Sequence, residues 1–134
     1  MIVADTNTIA YLYLPSDFSH DCERALVKDS IWAAPLLWRS ELRNILSVYV
    51  RKELIEISDA YDIQREAEHL LNGNEFEVDS LSVIKLARES GCSAYDCEFI
   101  YLAQNTGSKL ITEDKKILKS FPDLALTAKE FVNS

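Results

Sequence analysis

The 134-residue sequence has few of the residues that interrupt a chain. It contains three glycines and three prolines, no low-complexity segment and no repeat of solenoid period. These scarcities exclude a disordered chain and a repeat array. Because 48% of the residues are apolar, we expect a single compact domain over residues 1–134 that is rich in regular structure.

Cysteines are also few, and their pattern excludes a cysteine metal site. Cys22, Cys92 and Cys97 are an odd set without metal-ligand spacing, which predicts buried, reduced thiols. The apolar N-terminus meets Asp5 too early for a signal peptide, and no run is long enough to cross a bilayer. We therefore expect a cytoplasmic protein without a membrane partner.

Positive charge is in short supply: 14 Lys and Arg against 22 Asp and Glu give a net charge of −8. This balance argues against a protein that holds nucleic acid by covering the phosphates with basic side chains. It does not exclude an enzyme that acts on nucleic acid, because carboxylates that hold a divalent cation reach a phosphate through the ion.

Short apolar runs alternate with longer amphipathic segments. The patterns predict strands at 2–4, 31–33, 76–78, 109–112 and 124–126, and helices at 9–14, 16–28, 35–52, 58–71, 80–90, 93–105, 114–120 and at the C-terminus. Pro35 suits the first turn of its helix, Leu81 and Ile84 are expected to face inward with Val83 as a further candidate, and Gly91 is expected to end a helix. The alternation predicts an α/β fold with a parallel sheet covered on both faces.

Two acids follow predicted strands. Asp5 comes directly after the first strand, and Asp114 follows the strand at 109–112 in the same relation. Ligands of open α/β sheets bind at the carboxyl edge of the strands, especially where the strand order reverses. Both acids are therefore expected at one edge, although each also suits the N-cap of the helix that follows it.

Two further acids lie on predicted helices. Asp96 shares a helix face with Phe99, Ile100 and Ala103, where an unpaired carboxylate is costly. The alternative for Asp96 is a capping box with Ser93. Glu41 lies at the margin of a buried stripe, and its alternative is an ordinary boundary glutamate.

Four converging carboxylates would raise one another's pKa values unless a cation neutralised them. Ligands that are all oxygen favour Mg²⁺ or Mn²⁺ over zinc. His20 and His69 lack ligand spacing and are expected at the surface.

Four segments together resemble the PIN-domain ribonucleases, and most closely the VapC-type toxins of prokaryotic toxin–antitoxin pairs. The segments are Ala4-Asp5-Thr6-Asn7, Ser40-Glu41-Leu42-Arg43-Asn44, the helix from Tyr95-Asp96 to Ala103, and Thr112-Glu113-Asp114. The resemblance extends over almost the whole chain. It implies a three-layer α/β/α domain whose acidic pocket binds Mg²⁺ or Mn²⁺ and hydrolyses RNA phosphodiester bonds.

The resemblance also implies roles for particular residues. The four acids map onto Asp5, Glu41, Asp96 and Asp114, with Glu113 as an alternative ligand, and the supporting polar positions map onto Asn7 and Thr112. A homodimer and a small antitoxin partner are implied, and the antitoxin groove is expected near Tyr11, Leu12, Tyr13 and Trp38 unless these side chains belong to the core. Arg39 and Arg43, and also Arg51 and Lys52, are candidate contacts to RNA phosphates or parts of a solvated helix face.

Two rival functions remain open on the sequence alone. A receiver-like signalling module is also a small α/β domain with an acidic Mg²⁺ pocket, but it needs adjacent acids after the first strand and a phosphorylated aspartate after a middle strand. It also needs a late lysine, and this chain offers only Asp5 at the first place and no convincing acceptor. The other rival is a catalytically silent interaction module with the same fold, in which the acids are structural.

Overall fold

A computed structural model describes residues 1–134 as five strands and eight helices. The strands are β1 (Ile2–Ala4), β2 (Trp32–Pro35), β3 (Glu75–Phe76), β4 (Leu110–Ile111) and β5 (Ala125–Leu126). The helices are α1 (Thr6–Tyr11), α2 (Ser19–Lys28), α3 (Leu37–Arg51), α4 (Ile57–Leu70), α5 (Ser80–Ser90), α6 (Ala94–Thr106), α7 (Lys115–Ser120) and α8 (Ala128–Val132). The predicted alternation of short strands and longer helices is confirmed.

The strands form one parallel sheet in the order β3-β2-β1-β4-β5. The chain moves from β1 through β2 to β3, and then returns across the sheet to β4 on the other side of β1. Val3 is the central point of this register, since it pairs with Ala33 of β2 and with Leu110 of β4. The strand order therefore reverses between β1 and β4, which is where such sheets bind ligands.

Helices flank the sheet, as the sequence predicts. Helix α6 packs against β1, β2 and β4, with α5 on its outer side, while α3 contacts β2, α1 and α4. The crossovers from β1 to β3 and from β3 to β4 run in opposite directions along the sheet. Because such crossovers are right-handed, α1 to α4 lie on one face of the sheet and α5 and α6 lie on the other. The result is the α/β/α layering expected from the sequence.

The core is one cluster of 29 buried apolar residues. Its largest members, Trp32 and Trp38, are fully buried, and all three cysteines are buried free thiols, as predicted. No helix combines the length with the apolar character that crossing a membrane requires.

Three local predictions are wrong, and each has a physical reason. Helix α1 begins at Thr6 rather than at residue 9, because Asp5 caps it directly after β1. Pro35 ends β2 instead of opening α3, and its missing N–H is tolerated because Ala34 and Leu36 on either side supply the N–H donors to β3.

The third error concerns the face that α5 presents to the core. Leu81 and Ile84 are 77% and 63% exposed, whereas Val83 is buried. Helix α5 carries two apolar stripes, and packing against α6 uses the one that runs through Val83, Leu86 and Ala87. Periodicity alone did not distinguish the two stripes.

Candidate active site

All four predicted acids line one pocket at the carboxyl edge of the sheet. The pocket has a volume of about 660 Å³, and Asp5, Glu41, Asp96 and Asp114 are among its 13 lining residues. These acids come from the end of β1, from α3, from α6 and from the start of α7. The structure thus brings together side chains that are up to 109 positions apart in the sequence.

Asp5 is fixed by hydroxyl groups on both of its carboxylate oxygens. Oδ1 accepts hydrogen bonds from the backbone N–H of Thr8 (2.9 Å) and from its hydroxyl (2.7 Å), while Oδ2 accepts one from the hydroxyl of Thr112. The backbone N–H of Asp5 donates to Ile111 O of β4, so the β1–β4 pairing continues into the site. Asp5 is therefore both the N-cap of α1 and a wall of the pocket.

Asp114, like Asp5, is both a helix N-cap and a residue of the pocket, and it lies at the start of α7. Its Oδ1 accepts from the backbone N–H groups of Lys116 (2.9 Å) and Ile117 (3.0 Å), as an N-cap does. Its own N–H donates to the hydroxyl of Thr112, the residue that also holds Asp5. Thr112 thereby joins the two acids across the point where the strand order reverses.

Asp96 enters the pocket from the first turn of α6. Ser93 caps this helix, since its hydroxyl accepts from the backbone N–H of Asp96 at 3.0 Å, but Asp96 does not complete the capping box that was the alternative reading. Phe99, Ile100 and Ala103 are buried as predicted, while Asp96 is half-buried at the margin. Its carboxylate is thus directed to the pocket rather than used in the cap.

Glu41 is held from a neighbouring helix. The hydroxyl of Thr6, a buried residue in the first turn of α1, donates to Glu41 Oε1 at 2.7 Å. Asn7, the other predicted supporting residue, is exposed and lines the pocket, whereas Thr112 is fully buried behind Asp5.

The carboxylates make the site electrostatically unfavourable when all are charged. Burial raises the pKa of Asp5, and the charge of Asp114 raises it further against the hydrogen bonds from Thr112 and Thr8. The pKa of Glu41 is raised by burial and by the charges of Asp96 and Asp5, and that of Asp96 by burial and by Asp114. A cation in the pocket would relieve both causes.

The pocket suits Mg²⁺ or Mn²⁺ in an open site, and it does not suit an ion that is held entirely by protein ligands. As placed, no three histidine, cysteine, aspartate or glutamate side chains in the chain are grouped closely enough to enclose a metal ion. Mg²⁺ is commonly held by one or two carboxylates together with water and substrate phosphates, and it requires oxygen ligands. A structural zinc site, which takes four protein ligands, does not fit this pocket.

Several other expectations are corrected by the structure. Arg39 is occupied by two glutamates: its Nε and Nη2 donate to Glu75 at 2.6 and 2.8 Å, and its Nη1 donates to Glu68 at 2.9 Å. Its guanidinium is therefore engaged within the protein, and its contact with RNA phosphates stays a prediction. Glu113 accepts from the N–H of Ala128 and does not line the pocket, so it does not replace Asp114.

The residues expected to line an antitoxin groove pack against the core instead. Trp38 is fully buried and its indole N–H donates to Glu75 Oε1 at 2.7 Å, so it belongs to the core. Tyr11, Leu12 and Tyr13 are partly buried against the same core. Arg43 is exposed and lines a separate groove between α3 and α4 rather than the carboxylate pocket.

Among the residues of the site that sequence reasoning missed are Thr6, Thr8 and Tyr95. Thr6 and Thr8 are buried and hold the carboxylates of Glu41 and Asp5, while Tyr95 is 64% exposed and lines the pocket. The position of Thr8, three residues after a possible N-cap, was the one available signal. The contact of Thr6 with a residue 35 positions away had no local signal.

Comparison with known proteins assigns the family. A PIN-domain family profile matches residues 2–123. Ribonuclease VapC3 of Pyrobaculum aerophilum is 30% identical in an alignment 128 residues long that covers 92% of this chain and 96% of that protein. A chain from a toxin–antitoxin complex of Klebsiella pneumoniae has the same fold, with a TM-score of 0.68 at 18% identity over 96% of this chain and 98% of that one. The chain therefore belongs to the PIN-domain family and is related within it to the VapC-type ribonucleases.

Proposed function

We propose that this chain is a metal-dependent endoribonuclease and the toxin of a type II toxin–antitoxin pair. The observation that carries the proposal is the convergence of four carboxylates from four separate segments on one pocket at the carboxyl edge of the sheet. The name of the related protein, ribonuclease VapC3, supports RNA as the substrate. One continuous core supports the further proposal that the 134 residues act as a single domain.

In this proposal Asp5, Glu41, Asp96 and Asp114 hold Mg²⁺ or Mn²⁺. The ion supplies an activated water and neutralises charge that develops on the phosphate. Thr8 and Thr112 fix both oxygens of Asp5, and Thr6 fixes one oxygen of Glu41. Such fixed ligands lower the cost of organising the site when substrate arrives.

The geometry disfavours the receiver-like alternative. The residue beside Asp5 is Thr6 rather than a second acid, and β2 ends at Pro35 and is followed by Leu36. No acid follows β2, and Asp114, which follows the other neighbouring strand β4, is engaged as an N-cap by two backbone N–H groups. The missing second acid beside Asp5 therefore carries the argument against a receiver. The catalytically silent module differs from our proposal only in activity, so experiment decides between the two.

The test is RNA cleavage by the purified chain with Mg²⁺, with Mn²⁺ and with EDTA. We expect cleavage only with a divalent ion, and a loss of at least about 100-fold in Glu41→Gln and Asp96→Asn. Glu113→Gln is the matched control, since Glu113 lies next to Asp114 but outside the pocket, and it should keep activity. Cleavage that survives in both site variants would refute the mechanism, and absence of cleavage in the wild type would favour the silent module.

We also propose an antitoxin partner that docks in the groove between α3 and α4. This groove, about 370 Å³, is lined by Leu46, Val50, Ile57 and Tyr61, with Arg43 and Arg51 also on its wall and no acid among the lining residues. Ile57 and Tyr61 are 56% and 55% exposed. In a chain of net charge −8, a groove with two arginines suits an apolar segment that carries carboxylates.

Co-expression with the neighbouring open reading frame tests this partner. We expect the neighbour to relieve growth arrest and to bind the chain, and we expect Ile57→Asp to abolish binding while RNA cleavage persists. Val27→Asp is a matched control, since Val27 is also exposed but lies outside this groove. Equal binding by both variants would place the partner elsewhere.

A homodimer is the last element of the proposal. The apolar side chains of Leu81 and Ile84 stand in solvent on α5, as expected of a face that a second copy covers. Sedimentation equilibrium of wild type and Ile84→Glu checks this arrangement, with a dimer expected only for the wild type. A monomeric wild type would contradict it.

A further inference from the structure

Tyr95 is an exposed aromatic residue at the carboxylate pocket. It is the second residue of α6, it lies next to Asp96 in sequence, and 64% of it is accessible to solvent. Single exposed apolar residues are common, so exposure by itself carries no meaning. The position of Tyr95 does carry meaning, because this residue lines the same pocket as the four acids.

Tyr95 lies on the capped first turn of α6, and its ring is not engaged by other rings. The aromatic pair of the chain is Tyr11 with Phe18, at 5.2 Å between ring centroids, and the cation–π contact is Lys28 over Phe131. Tyr95 takes part in neither. The Ser93 cap fixes the backbone of the first turn of α6, so the ring needs little ordering when a ligand arrives.

The pocket offers two kinds of surface to a ligand. Besides the four acids, Leu37, Ile45 and Tyr95 add apolar surface, with Phe99 and Ile117 nearly buried behind it, and Asn7 and Asn44 add amide groups. A phosphate can bind beside the carboxylates only when a cation lies between them, whereas the flat face of a base can pack against the apolar side chains. Bases of single-stranded RNA are unstacked and bind by stacking on exposed aromatic side chains.

We propose that Tyr95 stacks on a nucleobase adjacent to the scissile phosphate of single-stranded RNA. The inference rests on the proposed ribonuclease function and adds a substrate-binding residue to it. The aromatic ring makes this contact and its hydroxyl does not contribute. Asn7 and Asn44 lie on the same pocket wall, where their amides meet the edges of bases.

The first test compares Tyr95→Leu, Tyr95→Phe and Tyr61→Leu. Tyr61 is the matched control, since it is 55% exposed but lines the α3–α4 groove instead. Affinity for a short single-stranded RNA that the wild type cleaves is measured by fluorescence anisotropy in a Glu41→Gln background that prevents cleavage, with Mn²⁺ raised until it saturates the three remaining acids. We expect Tyr95→Leu to weaken binding by about tenfold, and Tyr95→Phe and Tyr61→Leu to stay within about twofold.

The second test asks whether the ring acts on a base. One abasic nucleotide is moved along the RNA around the cleavage site. At one position, the abasic nucleotide should weaken binding to the Glu41→Gln protein by as much as the Tyr95→Leu change does. At that position, it should not weaken binding further to the protein that carries both Glu41→Gln and Tyr95→Leu. Independent, additive losses at every position would overturn the proposal, as would wild-type affinity in Tyr95→Leu.

Two controls separate this proposal from the function on which it rests. The thermal unfolding midpoint and the Mn²⁺ affinity of Tyr95→Leu should match those of its parent, which shows that only RNA binding changed. If the wild type cleaves RNA and Tyr95→Leu binds and cleaves equally well, the role of Tyr95 fails while the ribonuclease stands. A wild type that neither binds nor cleaves RNA overturns both.

Discussion

Hydroxyl groups of three buried threonines determine how the acids of the pocket are presented. Thr8 and Thr112 donate to the two oxygens of Asp5, and Thr6 donates to Glu41. A hydroxyl has one proton to give, so each of these contacts favours the ionised carboxylate as acceptor. Burial acts in the opposite direction, and the raised pKa values of Asp5 and Glu41 show which effect is larger.

Asp5→Asn and Asp96→Asn should differ in stability although both abolish cleavage. Asp96→Asn removes a charge that burial and Asp114 disfavour, so the free energy of unfolding should stay equal or rise. Asp5→Asn also removes a disfavoured charge, but it places an amide N–H₂ where one carboxylate oxygen now accepts a hydrogen bond, so it should be about 1–2 kcal/mol less stable than Asp96→Asn. Urea denaturation without divalent ions measures both, and greater stability of Asp5→Asn than of Asp96→Asn would contradict this account.

Thr6→Val should weaken Mn²⁺ binding without unfolding the protein. Valine keeps the shape of the buried side chain but removes the proton that orients Glu41, and loss of such a supporting hydrogen bond costs about tenfold or more in metal affinity. Thr6→Ser should retain affinity. Thr106→Val, the same change on α6 where the hydroxyl donates to Leu102 O, is the control. Calorimetric titration with Mn²⁺ decides, and equal affinities in Thr6→Val and Thr106→Val would refute the positioning role.

At the scale of elements, Arg39 joins three parts of the fold. It extends from α3 to Glu68 of α4 and to Glu75 of β3, and Trp38 shares the Glu75 carboxylate. The side chain of Glu75 is only 13% exposed, and the hydrogen bonds and charge of Arg39 hold its pKa below the ordinary value. The network fixes the edge of the sheet at β3, which has only two paired residues.

Arg39→Met should destabilise the protein while leaving RNA cleavage intact. The cost should be about 1 kcal/mol, because solvent screens a guanidinium that is 35% exposed but Glu75 is left without its partner. Arg43→Met removes an exposed arginine that has no ion pair, and should change stability by less than about 0.5 kcal/mol. Thermal denaturation and the KM for RNA are the measurements. A raised KM in Arg39→Met with unchanged stability would restore Arg39 as an RNA contact.

At the scale of the whole molecule, the pocket makes stability depend on pH in an unusual direction. The pKa values of Asp5, Glu41 and Asp96 are raised, and burial also raises those of Glu98 and Glu113. The folded chain therefore binds more protons than the unfolded chain just above the ordinary carboxylate range. Carboxylates elsewhere, such as Asp29 beside the N-terminal ammonium and Glu75, have lowered pKa values and stabilise the fold until they are protonated.

Without divalent ions, the free energy of unfolding should rise as the pH falls from about 7.5 to about 5.5. Stability rises in this direction because carboxyl groups with raised pKa values bind protons more tightly in the folded chain than in the unfolded chain. Below about pH 4 stability should fall, as Asp29 and Glu75 lose their charge. Urea denaturation across this range measures the effect, and Asp96→Asn should flatten the upper part. A steady loss of stability from pH 7.5 to 5.5 would contradict the crowding of acids.

The family and the four acids were accessible from the sequence because their signals are local. Strand ends, caps and helix faces depend on residues within a few positions, so Asp5 and Asp114 were expected at strand ends and Asp96 on a buried helix margin. Helix ends at Gly91 and Gly107 were read in the same way, and both glycines have the left-handed φ of such ends.

Only tertiary packing decided which of these signals meet. The order β3-β2-β1-β4-β5 places Asp5 beside the strand that leads to Asp114, and no local pattern specifies that order. The same holds for the contact of Thr6 with Glu41, for the capture of Arg39 by Glu75, and for the stripe of α5 that faces the core. Such contacts join residues far apart in the chain, so their energies depend on how rigid elements pack and not on the propensities of the residues that make them.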